Sequence, residues 1–343
     1  MDKIIITGAA GFIGSNIAGY FCEKGVDIIC FVKGNSCIKN LRNLPVKIIH
    51  GDITDIKTLK AAFKNIDCII HTAALAKDWG KYEEFCEVNV NGTLNVLNVS
   101  HHNSVKNVII TGSISSYGEE NSQEIKNEEY PFNSHYNYFL DKLFPCKMNY
   151  YRDTKALATK EAIKYSTKNE VNLTIIEPVW VFGEHEFNTG FYEYLKTVKT
   201  GIPFFPGSNK NKFHVIYVRD LARAYFLAYK KKLTGINRIL VGNKKSESMN
   251  KIYSIFCREL GVKKPINLPK PLIYPLGFIM EFIYTICSIK HAPMLSRGRI
   301  NMFYDNIEYS IIKAEKMLSF INKYTLEEGI KRTVNWYKDN KLI

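Results

Sequence analysis

The chain has 343 residues, 46% hydrophobic and 23% charged, with 47 Lys and Arg against 33 Asp and Glu for a formal net charge of +14. These proportions belong to a folded globular protein, long enough for one large unit with a smaller appendage, and exclude a disordered chain. The basic residues are scattered without a block or groove-reading motif, so nucleic acid is excluded as an expected partner, and the positive field suits phosphorylated ligands or an anionic membrane surface.

The first element is a β-branched run, Lys3 to Thr7, that breaks into Gly8-Ala-Ala-Gly11-Phe-Ile-Gly14. A buried strand that turns on glycines straight into a helix leaves backbone N–H groups free at the helix's positive end, where a pyrophosphate can sit. Phe12, Ile13, Ile17 and Phe21 then recur at helical spacing until Gly25, which marks a helix end. Three glycines alone are equally a plain strand-turn-helix, and the surrounding pattern is what favours a dinucleotide loop.

Val26 to Val32 reads as a second strand, with Lys33-Gly-Asn-Ser36 at its tip. An NAD-specific fold usually carries an acid there to bind the adenine ribose diol. Lys33 suits a 2′-phosphate instead, which makes NADP(H) the preferred cofactor and NAD the alternative. The plain reading of Lys33 is a solvated strand-end lysine. A third strand, Val46 to His50, leads to Gly51-Asp52-Ile53-Thr54-Asp55. Asp52 lies where ligands gather in parallel sheets and is placed to accept from the adenine amine, while Asp55 is expected to cap the next helix. Cys68 to Thr72 is a fourth strand running into Ala73-Ala74, small residues that let a cofactor approach. His71 within it is expected to be a packed, hydrogen-bonded core residue.

A helix from about Phe85 to Ser100 contains Asn89, placed to orient a water or a backbone carbonyl near the site. The strand Val108 to Thr111 delivers Ser113-Ile-Ser-Ser-Tyr-Gly118, hydroxyls suited to a substrate oxygen or simply to a turn. The polar stretch 119–149 is long for a connection and is expected to be a binding loop or lid. Tyr151-Arg-Asp-Thr-Lys155 opens a strong helix, and Leu173 to Glu177 is a strand that breaks at Pro178. These βα repeats predict an α/β fold, a Rossmann-type doubly wound parallel sheet over 1–183, with 213–242 returning to it. Segments 184–212 and 243–343 would form a smaller, mostly C-terminal substrate lobe.

Tyr-x-x-x-Lys places both side chains on one helix face, one turn apart. An ammonium beside a phenol favours the phenolate, so Tyr151 can move a proton at a hydroxyl or ketone while nicotinamide exchanges hydride with the same carbon. Ser113 would stabilise the developing alkoxide, and Lys155 would also reach the ribose hydroxyls. Tyr138-x-x-x-Lys142 fits the same pattern, but Pro145 follows it too soon for a helix.

Taken in order, Thr7 to Gly14, Gly51 to Asp55, His71 to Ala74, Asn89 to Thr93, Ser113 to Gly118, Tyr151-x-x-x-Lys155 and Pro178 to Gly183 resemble the motifs of the extended short-chain dehydrogenase/reductases, the NAD-dependent epimerase/dehydratase superfamily. The resemblance spans nearly the whole chain. It implies Ser113, Tyr151 and Lys155 as the catalytic trio, and Gly8, Gly11, Phe12, Ile13, Gly14, Asp52, Ile53, Ala73, Ala74, Asn89 and Pro178 around the cofactor. Ala73 to Gly80 and the Trp336-Tyr337 segment resemble the 3β-hydroxysteroid dehydrogenase/isomerase-like and dihydroflavonol-reductase-like branch, which often ends its second strand in a basic residue. Two departures bear on the substrate: Glu177 replaces the usual arginine before the family proline, and the stretch from Ser113 to Tyr151 is long.

The run from Leu272 to Ile289 is the most apolar of the chain, yet Glu281, Pro275 and Gly277 argue against a spanning helix. A helix covering the substrate cleft is the first reading, and peripheral membrane contact is the second. Either suits an apolar, sterol- or isoprenoid-like substrate. The expected activity is hydride transfer between nicotinamide and a secondary alcohol or ketone of a small-molecule substrate. Alternatives are a nucleotide-sugar 4-epimerase or dehydratase with retained NAD, using Arg219, Arg297 or Arg299 for a diphosphate, and a redox-sensing binding module. The eight cysteines show no metal-ligand spacing and, with no leader ahead of the first strand, a reducing cytoplasmic setting is expected, with homodimerisation as a further expectation.

Overall fold

The structure, a computed structural model, describes residues 2–105, 107–118, 124–186 and 190–343. Six short strands form where the sequence runs β-branched and apolar: β1 (Ile4–Thr7), β2 (Ile28–Val32), β3 (Lys47–His50), β4 (Cys68–His71), β5 (Asn107–Thr111) and β6 (Leu173–Pro178). With Ile236–Val241 they make one seven-stranded sheet in which every neighbouring pair is parallel. From the edge the order is Ile236–Val241, β6, β5, β4, β1, β2, β3. The chain therefore steps one way from β1 to β3 and the other way from β4 onward. That reversal opens a crevice at the carboxyl ends of β1 and β4, where such sheets bind ligands.

Both faces of the sheet are covered, as a parallel sheet requires. Alternation along β1 divides the core: Ile4 and Ile6 join Phe21 on one face, and Ile5 joins Ile69 and Leu97 on the other. The helix Phe12–Glu23 packs on the first face beside Val218–Lys231, with the Phe21 and Phe226 rings edge to face at 5.4 Å. Asp55 caps the helix Ile56–Ala62 by accepting from the Lys57 amide at 2.9 Å. The helix around Asn89 is less regular than its periodicity predicts. It begins as Tyr82–Phe85, widens to a π-helical turn over Cys86–Asn91 and continues as Gly92–His102.

Within 213–242, Ile236–Val241 completes the main sheet, opposite β6 with Leu240 facing Glu177. Val215–Tyr217 instead pairs with Trp180–Phe182 in a separate two-stranded sheet. In the polar stretch after Ser113, residues 119–123 lie outside the described residues. The remainder is mostly irregular up to the helix Met148–Lys168.

The apolar C-terminal run forms the helix Lys270–Ile286, which buries only Ile273, Gly277 and Glu281. Gly277 permits the close approach: a Cβ there would lie 2.2 Å from Ile300 in the neighbouring helix Arg297–Met302. The large aliphatic residues, expected first over a substrate cleft, face outward instead: Leu272 is 69% and Ile286 62% exposed. No described helix is long and apolar enough to cross a membrane.

Candidate functional site

The glycine turn fills the crevice between β1 and β4. Gly8 has φ +71°, and a Cβ on it would come 2.6 Å from the Ala73 nitrogen. A Cβ on Gly14 would lie 2.3 Å from the Gly8 carbonyl oxygen and 2.8 Å from Thr72 Oγ1. Gly11 caps the following helix with no side chain, and no acid stands in the first turn. The N–H groups that open this helix, those of Phe12 and Ile13 included, thus have no capping side chain at its positive end. These residues fit a dinucleotide pyrophosphate.

The tips of β2 and β3 carry the residues expected to choose between cofactors. Lys33 and Asp52 are paired, Nζ to Oδ2 at 2.9 Å, with 63% and 31% of their side chains exposed. Asp52 Oδ1 also accepts from the Thr54 amide at 3.0 Å and from its hydroxyl at 2.9 Å. Partial burial raises the Asp52 carboxyl, but the Thr54 amide and Lys33 outweigh it and hold the group below the usual carboxylate range. Ile53 is buried, and Gly92 leaves room for it: a Cβ there would meet Ile53 Cδ1 at 2.6 Å. Ala74 is exposed one residue beyond Ala73, and Pro178 closes β6. His71 is locked in the core between Thr7 Oγ1 at 2.7 Å and Thr93 Oγ1 at 3.1 Å, and burial brings it down to about 3, so it is neutral at working pH.

At the carboxyl end of β5 the structure brings together Ser113, Tyr151 and Lys155. Ser113 caps the short helical turn Ile114–Tyr117, its Oγ accepting from the Ser115 amide at 3.2 Å and lying 2.7 Å from Ser115 Oγ. Tyr151 sits in the first turn of Met148–Lys168. Burial pushes its phenol above the ordinary value, a hydrogen bond with Ser113 pulls it back, and Asp78 adds a small upward push. Lys155, 7% exposed, donates from Nζ to the Thr111 carbonyl at 2.6 Å. Burial lowers the Lys155 ammonium to about 8, against an upward pull from Glu177. The competing pair is kept apart from this centre: the Tyr138 hydroxyl accepts from Arg152 Nη1 at 2.7 Å, and Lys142 is exposed.

Asn89 ties the loop after β4 to the Tyr151 helix. Its Oδ1 accepts from the Leu75 amide at 2.8 Å, and its Nδ2 donates to the Leu75 carbonyl at 3.3 Å and to Thr154 Oγ1 at 3.1 Å. Two further groups stand near the site: Glu177, which the sequence marked as a departure without giving it a partner, and Asp78, which it missed. Glu177, fully buried behind the strand ends, accepts from the Tyr117 hydroxyl at 2.6 Å and pairs with Arg238 at 3.3 Å. Its replacement of the family arginine was the signal, since a lone acid in a buried strand needs a partner. Asp78, which acts on Tyr151, holds Arg299 Nε at 2.8 Å. That pair is separated by 221 residues and leaves no local trace.

The three arginines expected near a diphosphate do not cluster. Arg219 pairs with Glu23, Arg297 is buried against Glu281 at 2.9 Å, and only Arg299 lies on the Tyr151 side through Asp78. A groove of about 430 Å³ lined by Lys3, Asp27, Lys47 and Lys64 lies at the amino ends of the strands, away from the trio.

A family model described as the NAD dependent epimerase/dehydratase family matches residues 4–242. The chain is 27% identical over 351 residues to an Escherichia coli O157:H7 protein named N-acetyl-alpha-D-glucosaminyl-diphospho-ditrans,octacis-undecaprenol 4-epimerase, covering 98% of this chain and 95% of that one. It is 25% identical over 369 residues to a decarboxylating sterol-4-alpha-carboxylate 3-dehydrogenase of Candida albicans, covering 99% of each. A crystal structure of UDP-galactose 4-epimerase shares the fold with a TM-score of 0.74 at 19% identity, covering 98% of this chain and 99% of that one. The matched span holds the glycine turn, the crevice loops and the Tyr151 helix together, and on that ground the chain is an enzyme of the extended short-chain dehydrogenase/reductase type and belongs to the NAD-dependent epimerase/dehydratase family.

Proposed function

We propose that this protein is a nicotinamide-dependent oxidoreductase acting at a secondary alcohol or ketone of an apolar ring or other lipid-like small molecule. The observation that supports this most is the gathering of Ser113, Tyr151 and Lys155, with Ser113 easing the Tyr151 phenol downward and Lys155 buried one turn away, at the strand ends beside the glycine turn. Gly8, Gly11, Phe12, Ile13 and Gly14 would hold the pyrophosphate, with Ala73, Ala74, Asn89 and Pro178 around the rest of the dinucleotide. The bound nicotinamide supplies the hydride donor or acceptor.

Tyr151 moves the proton at the substrate oxygen. Lys155, positive below about pH 8, lowers the cost of the Tyr151 phenolate and is placed to turn from the Thr111 carbonyl to the ribose hydroxyls. Ser113 donates to the same substrate oxygen as negative charge develops there, and Ser115, at 2.7 Å, orients the Ser113 hydroxyl. Segments 184–212 and 243–343 form the substrate lobe in this reading. We assign NADP(H) as the preferred cofactor, with Lys33 released from Asp52 to meet the 2′-phosphate. Reversing that charge with Lys33→Glu is expected to lower the ratio of NADP to NAD affinity at least about tenfold, and an unchanged ratio refutes the assignment.

A second reading is an epimerase that oxidises and re-reduces one sugar carbon with retained NAD. The similarity to the Escherichia coli relative and the place of Arg299 beside Asp78 support it. A panel of sterol, ketone and sugar substrates separates the two. Net change in nicotinamide absorbance supports the first reading, and interconversion without net cofactor turnover supports the second. In either case Tyr151→Phe is expected to lower kcat by about 10²–10⁴-fold with cofactor affinity retained, and full activity in that variant removes the assignment of Tyr151.

A further inference from the structure

The helix Lys270–Ile286 is built inside out. Its one charged residue after Lys270, Glu281, is 2% exposed and faces inward, where its two oxygens accept from the Arg297 amide, Nε and Nη2, each at 2.9 Å. Its outer face carries Leu272, Leu276, Ile279, Ile283 and Ile286, each between 48% and 69% exposed. A surface helix in water shows the opposite arrangement.

A second segment extends the same face. Arg297 also donates to the carbonyls of Phe139 and Phe144, holding the loop between them against the helix. The Phe139 ring lies 5.4 Å from Phe278 and the Phe144 ring 4.9 Å from Phe282. On this loop Leu143 is 72% and Leu140 41% exposed. A continuous apolar surface of this kind marks a docking site.

The border of the patch is basic and aromatic. Lys142 is beside Leu143, Lys270 opens the helix over the Tyr274 ring at 5.8 Å, and Lys290 follows its end. Lys147 stands 4.0 Å over the Trp79 ring, and the Trp79 indole donates to the Ile289 carbonyl at 2.8 Å. None of these four lysines has an ion-pair partner among the described residues. Trp79 itself is buried beneath the border, and the cations around an apolar centre match the headgroup region of an anionic bilayer.

The outer residues recur at spacings of four and three, which is also the spacing of a seam that receives another helix. Such seams carry charged flanks that set register and partner. Here the flanking positions are Pro275, Phe278, Met280, Phe282 and Tyr284, with no exposed charge between Lys270 and Lys290. A fluid apolar medium needs no register, and this surface supplies none.

We propose that the Lys270–Ile286 helix and the Phe139–Phe144 loop dock the enzyme on the surface of an anionic bilayer, the helix lying in the interface. The proposal is independent of the reaction assigned above. If both hold, Lys147, which stands over the Trp79 ring and opens the helix that carries Tyr151, places the mouth of the site next to the lipid.

The test is flotation of the full chain with phosphatidylcholine vesicles, with and without phosphatidylglycerol. The wild type is expected to float with the anionic vesicles and to be released in part by salt. Ile279→Glu with Ile283→Glu is expected to reduce partitioning at least about tenfold with unchanged circular dichroism. Should that variant misfold, Lys142→Glu with Lys290→Glu, two exposed border changes, is expected to produce a similar loss on anionic vesicles only. A wild type that stays with the aqueous fraction overturns the proposal. So does a lipid-free homodimer that Ile279→Glu with Ile283→Glu splits into monomers, because a second copy then covers the face.

Discussion

Arg297 serves as a test of how far the buried charges are structural. Its guanidinium is 1% exposed, pairs through two nitrogens with Glu281, and also donates to two backbone carbonyls. Glu281→Ala removes the only carboxylate paired with it among the described residues and leaves a buried cation whose remaining described partners are neutral. Breaking a buried pair from one side costs about 3–5 kcal/mol. At about 2.1 cal/mol/K per residue, the unfolding entropy of this chain is on the order of 0.7 kcal/mol/K, so the expected fall in Tm is about 4–7 °C. Urea and thermal unfolding of the variant measure it. Arg297→Met with Glu281→Leu, which removes both charges, is expected to recover most of the loss. If instead Arg297→Met leaves Tm unchanged and raises KM alone, Arg297 holds substrate and the structural reasoning is refuted.

Gly14→Ala is expected to weaken dinucleotide binding at least about tenfold, measured by cofactor fluorescence titration, because its Cβ would fall 2.3 Å from the Gly8 carbonyl and displace the turn. Asn89→Ala removes three hydrogen bonds that fix the loop after β4 to the Tyr151 helix, and is expected to cost about 1–3 kcal/mol in denaturant unfolding while lowering kcat. Glu186, 2% exposed, accepts from the Phe191 amide and the Tyr337 hydroxyl, and burial raises its carboxyl to about 8 from 4.5. Its contribution to stability is full below pH 4.5 and is lost as pH rises through 8, since the unfolded chain releases that proton first. Glu186→Gln is expected to remove this part of the pH dependence and to gain on the order of a few kcal/mol over the wild type above pH 8. Parallel unfolding curves at low and high pH would contradict the burial of a neutral acid there.

Much of the fold was legible in the chain. β1, β4 and β5 are short apolar runs between turn signals, and the glycine turn after β1 sits at the crevice between β1 and β4 as its spacing predicts. The trio was legible because Tyr151 and Lys155 are one helical turn apart, and Ser113 follows a strand directly. His71 read correctly as a core residue from its place inside an apolar strand.

The helix Lys270–Ile286 marks where that reading stopped. Its residues are apolar on every side, so periodicity assigns no inward face, and the expectation of a cleft cover rested on hydrophobicity alone. Glu281 chose the face, and it did so through Arg297, sixteen residues later and on another helix. The same holds for Lys33 with Asp52, Asp78 with Arg299, and Glu177 with Arg238, each joined across separate elements. Local spacing and side-chain type determined the strands, the glycine turn and the gathering of Ser113, Tyr151 and Lys155, because those depend on neighbours within one or two turns. Only the tertiary structure decided which charges cancel and which apolar face stays outside, because a buried charge takes the orientation that meets its partner, and the partner's position comes from the packing of the whole chain.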